Sequence, residues 1–219
     1  MSEETELRES ICRMAASIFD RGLTGGASGN ISARLSDGRL LVTPTGSSFG
    51  HLDPARLALL GTDGSLIEGD RPTKEMPLHA AFYETRGQSA GAVVHLHSTH
   101  SVALSMLPET DPDNVLPPLT PYSIMRLGKV KLLPYFRPGD AAIGQAIRGL
   151  AGKRSAVLLA NHGPVVAARD LSAAVYAMEE LEETARLALL TRGLRPRMLD
   201  PGQIRDLVDH FNIEWDETS

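Results

Sequence analysis

The sequence predicts an α/β layered domain built on a mixed or mostly antiparallel sheet. Two observations carry this expectation. Amphipathic helical stripes alternate with short apolar strand runs along the chain. Several of those runs are joined by tight Asp-Gly turns, which make antiparallel hairpins rather than the crossovers of a doubly wound parallel sheet. A length of 219 residues allows one sizeable core and is short for two complete domains, so a single domain over 1–219 is expected.

The elements follow in order. Leu7, Ile11, Met14, Ala15, Ile18 and Phe19 recur at three- and four-residue steps, predicting a helix over 5–21 with Gly22 as its C-cap. A glycine-rich loop, Gly25 to Asn30, comes next. Ile31 to Leu35 and Arg39 to Thr43 straddle Ser36-Asp37-Gly38 and read as a hairpin; Leu57 to Leu60 and Ser65 to Ile67 flank Asp63-Gly64 in the same way. Residues 75–86 read as a helix with Thr73 as N-cap. Ala92 to His97 is a buried type of strand, and Ser98 to Leu107 a short helix. Four prolines between Asp111 and Pro121 predict a loop. Val130 to Leu133 and Ala156 to Ala160 read as strands around a helix near 140–150. Val165 to Ala168 is a strand closing a tight turn at Gly163-Pro164. The strongest helix spans Leu171 to Leu190, with the stripe Val175, Met178, Leu181, Ala185, Ala188, and a last helix covers roughly 201–211.

Composition excludes several classes. The net charge of −5 disfavours nucleic acid, which demands a basic surface, but a local cluster of donors can still hold a small phosphorylated ligand. Cys12 is the only cysteine; it rules out an internal disulfide and reads as a plain buried thiol on the first helix. The acidic start Ser2-Glu3-Glu4-Thr5-Glu6 is the wrong chemistry for a signal peptide, and the apolar runs are too short to cross a bilayer. A cytoplasmic protein is expected.

Histidines carry the chemistry. On a strand, residues two apart share a face, so His95 and His97 present both imidazoles together, as a zinc-type ion requires. The same spacing alone also fits a half-exposed strand face. Asn161-His162-Gly163 follows a second strand, whose end lets a third imidazole reach into a cleft. Glu75, opening a helix with His79 one turn on, is either a glutamate favoured by the helix dipole or, beside a metal, a ligand or acid/base group. His51, His100 and His210 read as structural. Gly29-Asn30, Thr43 to Ser48 and Thr73-Lys74 share small residues, hydroxyls, an amide and one ammonium, the makings of an anion nest. None fits a Walker loop or a dinucleotide fingerprint.

Taken in order, Gly29-Asn30-Ile31-Ser32, Thr43-Pro44-Thr45-Gly46, Thr73-Lys74-Glu75, Val94-His95-Leu96-His97 and Asn161-His162-Gly163 resemble the class II aldolase/adducin family over nearly the whole chain. Within it, Leu96 to Pro108, Leu116 to Tyr122 and Leu159 to Val166 are most similar to the 3-oxo-tetronate 4-phosphate decarboxylases. The resemblance implies a three-layer αβα sandwich around a mainly antiparallel or mixed sheet, and a homotetramer with sites at subunit interfaces. It implies Zn2+, with Mn2+ or Co2+ as substitutes, on His95, His97, His162 and Glu75, and an acid/base role for Glu75. Asn30, Thr45, Gly46, Thr73 and Lys74 fall at its phosphate-binding positions. Tyr122 matches a catalytic tyrosine lent by a neighbouring subunit. The implied reaction is loss of CO2 from a phosphorylated four-carbon keto acid through an enediolate, giving dihydroxyacetone phosphate. The alternatives are a sugar-phosphate aldolase of the fuculose-phosphate type, or a 4-epimerase or dehydratase of the family.

Two departures from the fuculose-phosphate aldolases weigh against cleavage of a long sugar phosphate. Those enzymes carry a serine pair where Thr73-Lys74 stands, and Phe211 to Ser219 has no tyrosine for the second one they lend. An adducin-like binding module has no need of three histidines and a base. Arg126, Lys129 and Arg137 are either partners for a departing carboxylate or solvated surface charges.

Overall fold

The computed structural model describes residues 2–215. Its strands are β1 Asn30–Arg34, β2 Leu40–Val42, β3 Ala58–Leu60, β4 Leu66–Glu68, β5 Ala92–His95, β6 Lys131–Leu133, β7 Ala156–Leu159 and β8 Gly163–Ala168. Its α-helices are α1 Glu3–Asp20, α2 Met76–Arg86, α3 Thr99–Ser105, α4 Pro121–Leu127, α5 Ala142–Arg148, α6 Leu171–Leu190 and α7 Pro201–Phe211. The strands form one sheet in the order β4-β3-β2-β1-β5-β8-β7-β6. Every pairing is antiparallel except β6 with β7. The sheet is mixed and mainly antiparallel, as the turn chemistry predicts.

Side-chain alternation divides the core into two layers. Ala92 and Val94 of β5 face one way and pack with Ile11, Ala15 and Ile18 of α1 and with Val175, Met178 and Leu181 of α6. Val93 faces the other way, joining Leu78 and Phe82 of α2, Ile143 and Ile147 of α5, and Val157 and Leu159 of β7. Because strands such as β5, β7 and β8 are buried on both faces, they read in the sequence as continuous apolar runs rather than as alternation. Helices on both faces make the αβα sandwich.

Several local expectations are corrected. The C-cap of α1 is Arg21, and Gly22 is the left-handed residue beyond it, at φ +70°. Gly22 N–H bonds to Phe19 O at 2.9 Å and Leu23 N–H to Ile18 O at 3.1 Å, a Schellman closure. The N-cap of α2 is Glu75 rather than Thr73; Thr73 Oγ1 instead accepts the Glu75 N–H at 3.2 Å from just outside the helix. Strand β5 ends at His95, two residues short of the run expected. Helix α4 was not anticipated: Pro121 closes the proline-rich loop and also starts the helix, as its N1 residue, with Thr120 as N-cap. No helix among the described residues is long and apolar enough to cross a membrane. Of the tail Phe211 to Ser219, residues 216–219 lie outside the described residues.

Candidate active site

Two adjacent strand ends deliver the histidines. Beyond β5, Leu96 N–H still bonds to Pro164 O at 3.2 Å, so the chain holds its strand path and carries His97 round beside His95. Opposite, β7 and β8 are joined by Ala160-Asn161-His162, a turn closed by His162 N–H to Leu159 O at 3.1 Å. Asn161 takes φ +58°, which asparagine tolerates better than most residues. Gly163 is obligatory: a Cβ there would lie 2.2 Å from Leu96 O. The backbones of the two histidine segments therefore touch, and His162 folds over the His95/His97 pair.

The side chains converge. One ligand atom from each of Glu75, His95, His97 and His162 lies within 4.8 Å of the others. His162 Nε2 is 3.1 Å from His97 Nε2 and 3.4 Å from His95 Nε2. Glu75 Oε2 is 3.4 Å from His95 Nε2, and Oε1 is 3.3 Å from His162 Nε2. His95 Nδ1 lies 2.8 Å from Pro164 O and donates to it, so its Nε2 carries a lone pair aimed at the cluster. Burial, then the neighbouring His162 and His97, holds the His95 pKa well below the ordinary imidazole value. Burial and His162 lower that of His97, and burial lowers that of His162. Neutral rings turn lone pairs toward one point, and Glu75 Oε1 is buried there without a hydrogen-bond partner. Three imidazole nitrogens and an orphaned carboxylate oxygen are the donor set of a divalent metal site. The residues fit such an ion.

Behind Glu75 runs a buried polar chain. Asn30 Nδ2 donates to Glu75 Oε2 at 2.8 Å, Asn30 Oδ1 meets His79 Nε2 at 2.5 Å, and His79 Nδ1 meets Ser32 Oγ at 2.7 Å. Ser32 Oγ is in turn 2.8 Å from Tyr83 Oη. The sequence reading places His79 one turn after Glu75 and Ser32 in a family motif but gives neither a role, and does not single out Tyr83. The available signal was spacing: His79 and Tyr83 follow Glu75 at steps of four on α2, and Asn30 and Ser32 are two apart on β1.

The loops expected to hold an anion run side by side. Thr45 N–H bonds to Arg71 O at 3.0 Å, and Thr73 N–H to Thr43 O at 3.2 Å. Thr45 is half-buried and Gly46 exposed, lining a hollow with Ser47, Ser48, His51 and Arg56. Lys74 is exposed and makes no ion pair among the described residues. Asn30 stands apart from these loops in its bonding: its carbonyl and one amide proton are committed to His79 and Glu75.

Tyr122 is not drawn in. It sits on α4, 56 % exposed, and no hydrogen bond or ring contact links it to the four ligands among the described residues. Lys129 is buried with its Nζ 5.3 Å from the centroid of the Trp215 ring. Arg126 lines a groove with Phe211 and Glu214, and Arg137 is exposed in the loop before α5.

The family profile of the Class II Aldolase and Adducin N-terminal domain matches residues 9–189. The chain belongs to this family. Among curated class II aldolase relatives, the 3-oxo-tetronate 4-phosphate decarboxylase of Cupriavidus necator is 48% identical over 219 residues, covering 98% of this chain and all of that one. The protein of the same name from Escherichia coli K12 is 51% identical, covering 93% of this chain and 96% of its own. The crystal structure of YgbL from Escherichia coli superposes with a TM-score of 0.91 at 48% identity, over 94% of this chain and 99% of that one. The chain is an enzyme of the lyase type found in this family.

Proposed function

We propose that the chain decarboxylates 3-oxo-tetronate 4-phosphate to dihydroxyacetone phosphate and CO2, as a zinc enzyme and a homotetramer of the cytoplasm. The observation that carries this reading is the four-residue donor set, with its orphaned Glu75 oxygen, in a chain about half identical to two decarboxylases of that name. The lone cysteine suits a reducing compartment.

His95, His97, His162 and Glu75 would hold the ion. A divalent cation there supplies Lewis acidity against the negative charge that spreads onto the ketone oxygen as CO2 leaves. The other steps belong to the chain itself. The Gly46 N–H, the Thr45 and Thr73 hydroxyls, the free Asn30 amide proton and the Lys74 ammonium bind the terminal phosphate and fix the substrate's far end. The bond from C1 to C2 breaks with its electron pair left on C2. Glu75, a carboxylate at rest, takes a proton from solvent through Oε1 and hands it to C2, completing the CH2OH group of the product and returning to the carboxylate. Tyr122, exposed on its own subunit, serves the site of a neighbour.

The test is incubation of zinc-loaded protein with 3-oxo-tetronate 4-phosphate made in situ, following CO2 and dihydroxyacetone phosphate together. Equal release of both, abolished by a chelator and by His97→Ala, is expected. Cleavage of a ketose 1-phosphate to an aldehyde without CO2 would make the chain an aldolase instead. Glu75→Gln should keep most of its metal yet lose about 100-fold or more in turnover.

A further inference from the structure

We propose that His79 is a positioning residue, whose Nε2–H locks the Asn30 amide so that its NH2 group, and not its carbonyl, faces Glu75. The inference rests on the reading of Glu75 as ligand and proton carrier. It follows from the one polarity the buried chain allows. A carboxylate oxygen only accepts, so Asn30 must present Nδ2 to Glu75 Oε2, 2.8 Å away. Asn30 Oδ1 then faces His79 Nε2 at 2.5 Å and accepts, so that nitrogen carries the proton. A neutral ring protonated at Nε2 has a bare Nδ1, which takes the Ser32 hydroxyl proton at 2.7 Å. Ser32 Oγ, having donated, accepts from Tyr83 at 2.8 Å. Each proton from the phenol to the carboxylate has one place to go.

The consequence falls on Glu75. An Asn amide is nearly symmetric in shape, and without a donor on Oδ1 it can flip and set a carbonyl against the carboxylate. Locked, it ties Oε2 and leaves Oε1 unpartnered, 3.3 Å from His162 Nε2. His79, Ser32 and Tyr83 are all buried, so water cannot substitute for a missing partner. The amide thereby divides the work of the two carboxylate oxygens, one held by protein and one offered to the ion.

Paired substitutions separate this role from packing. Glutamine places an amide N–H near the position of imidazole Nε2, whereas asparagine stops short of it and leaves Asn30 Oδ1 undonated. In protein loaded with Co2+ as a visible probe, His79→Asn should bind the ion about 10-fold more weakly, and no more weakly than Glu75→Gln. It should also shift the visible absorption band and lower kcat with little change in KM, while keeping a native circular dichroism spectrum. His79→Gln should stay near wild type in all of these. Wild-type affinity, spectrum and kcat in His79→Asn would overturn the proposal. So would equal impairment of the two variants. If His79→Asn does not fold, Ser32→Ala decides: weaker Co2+ binding supports the lock, and wild-type binding removes it. Glu75→Gln marks the boundary with the underlying reading. Full turnover in that variant removes Glu75 from the mechanism; loss in Glu75→Gln alone, with His79→Asn unaffected, removes only the positioning by His79.

Discussion

Single atoms decide whether the cluster can assemble. At Gly163 the missing Cβ lets the β7–β8 turn lie against Leu96, with 2.2 Å to spare for an atom that needs far more. Gly163→Ala must push the His162 turn away from the His95/His97 segment. It should cost about 3 kcal/mol of stability, read by urea unfolding, and weaken Co2+ binding in parallel. His79 makes a second, pH-dependent prediction. Burial, with the nearby His95, pushes its pKa from 6.5 down to about 3. Between those values the unfolded chain binds a proton that the folded one refuses, so stability falls as pH falls below about 6.5. The slope from this one group is about 1.4 kcal/mol per pH unit. Metal-free wild type and His79→Gln, unfolded at pH 6 and pH 4.5, should differ by that slope; parallel curves would show that His79 is protonated in the fold. At this scale strand period and turn residues made the three histidines legible, because they aim side chains; Glu75, at the start of a helix, stood out as a ligand only through the family resemblance. The buried partners were not legible: nothing in a serine, an asparagine or a tyrosine announces which donor it meets across a sheet.

Elements explain how the two histidine segments keep their spacing. Helix α3 starts two residues after His97 and is held at both ends. Glu182 of α6 accepts at its N-terminus from the backbone N–H groups of His100 and Ser101, each 2.9 Å away, and from Ser101 Oγ at 2.5 Å. It also meets His100 Nδ1 at 2.8 Å. At the far end Ser105 Oγ accepts the Asn161 N–H at 3.0 Å, tying α3 to the other histidine turn. Glu182 thus does for α3 what an N-cap side chain does from within, and Ser98, the N-cap itself, offers no side-chain bond. Glu182→Ala should lower stability by about 2–4 kcal/mol by leaving buried N–H groups unmet, and should speed loss of Co2+ to a chelator. Unchanged metal release would confine Glu182 to folding. Element type was readable wherever a stripe was long: α6 spans the residues its periodicity predicts, with Asp170 capping it through the Ala173 N–H at 2.7 Å. Reading failed where residues serve two elements. Pro121 ends a loop and begins α4, and Thr73 caps Glu75 without being the N-cap of α2.

For the whole molecule, the sandwich sets what is essential and what is appended. The family match stops at residue 189, one residue before α6 ends, so the cluster and both core layers precede α7. Helix α7 has a full capping box at Asp200 and Gln203, so its start is well specified locally, yet it has no buried residue. The helix itself packs on α4, and the residues just after it add the Arg86 to Glu214 ion pair at 3.0 Å and the Lys129 ammonium over the Trp215 ring. None of these contacts is made to a ligand of the cluster. A chain ending at Leu199 should therefore fold with a single cooperative transition at a lower Tm and bind Co2+ as tightly as the full chain. If the tail also contributes to the proposed homotetramer, light scattering will report four 23.5 kDa chains for the full-length protein and fewer than four chains for the truncated one, while Co2+ affinity holds. Loss of Co2+ binding on truncation would mean that the tail supports the site through α2, whose last residue, Arg86, pairs with Glu214 while Glu75 stands at its other end.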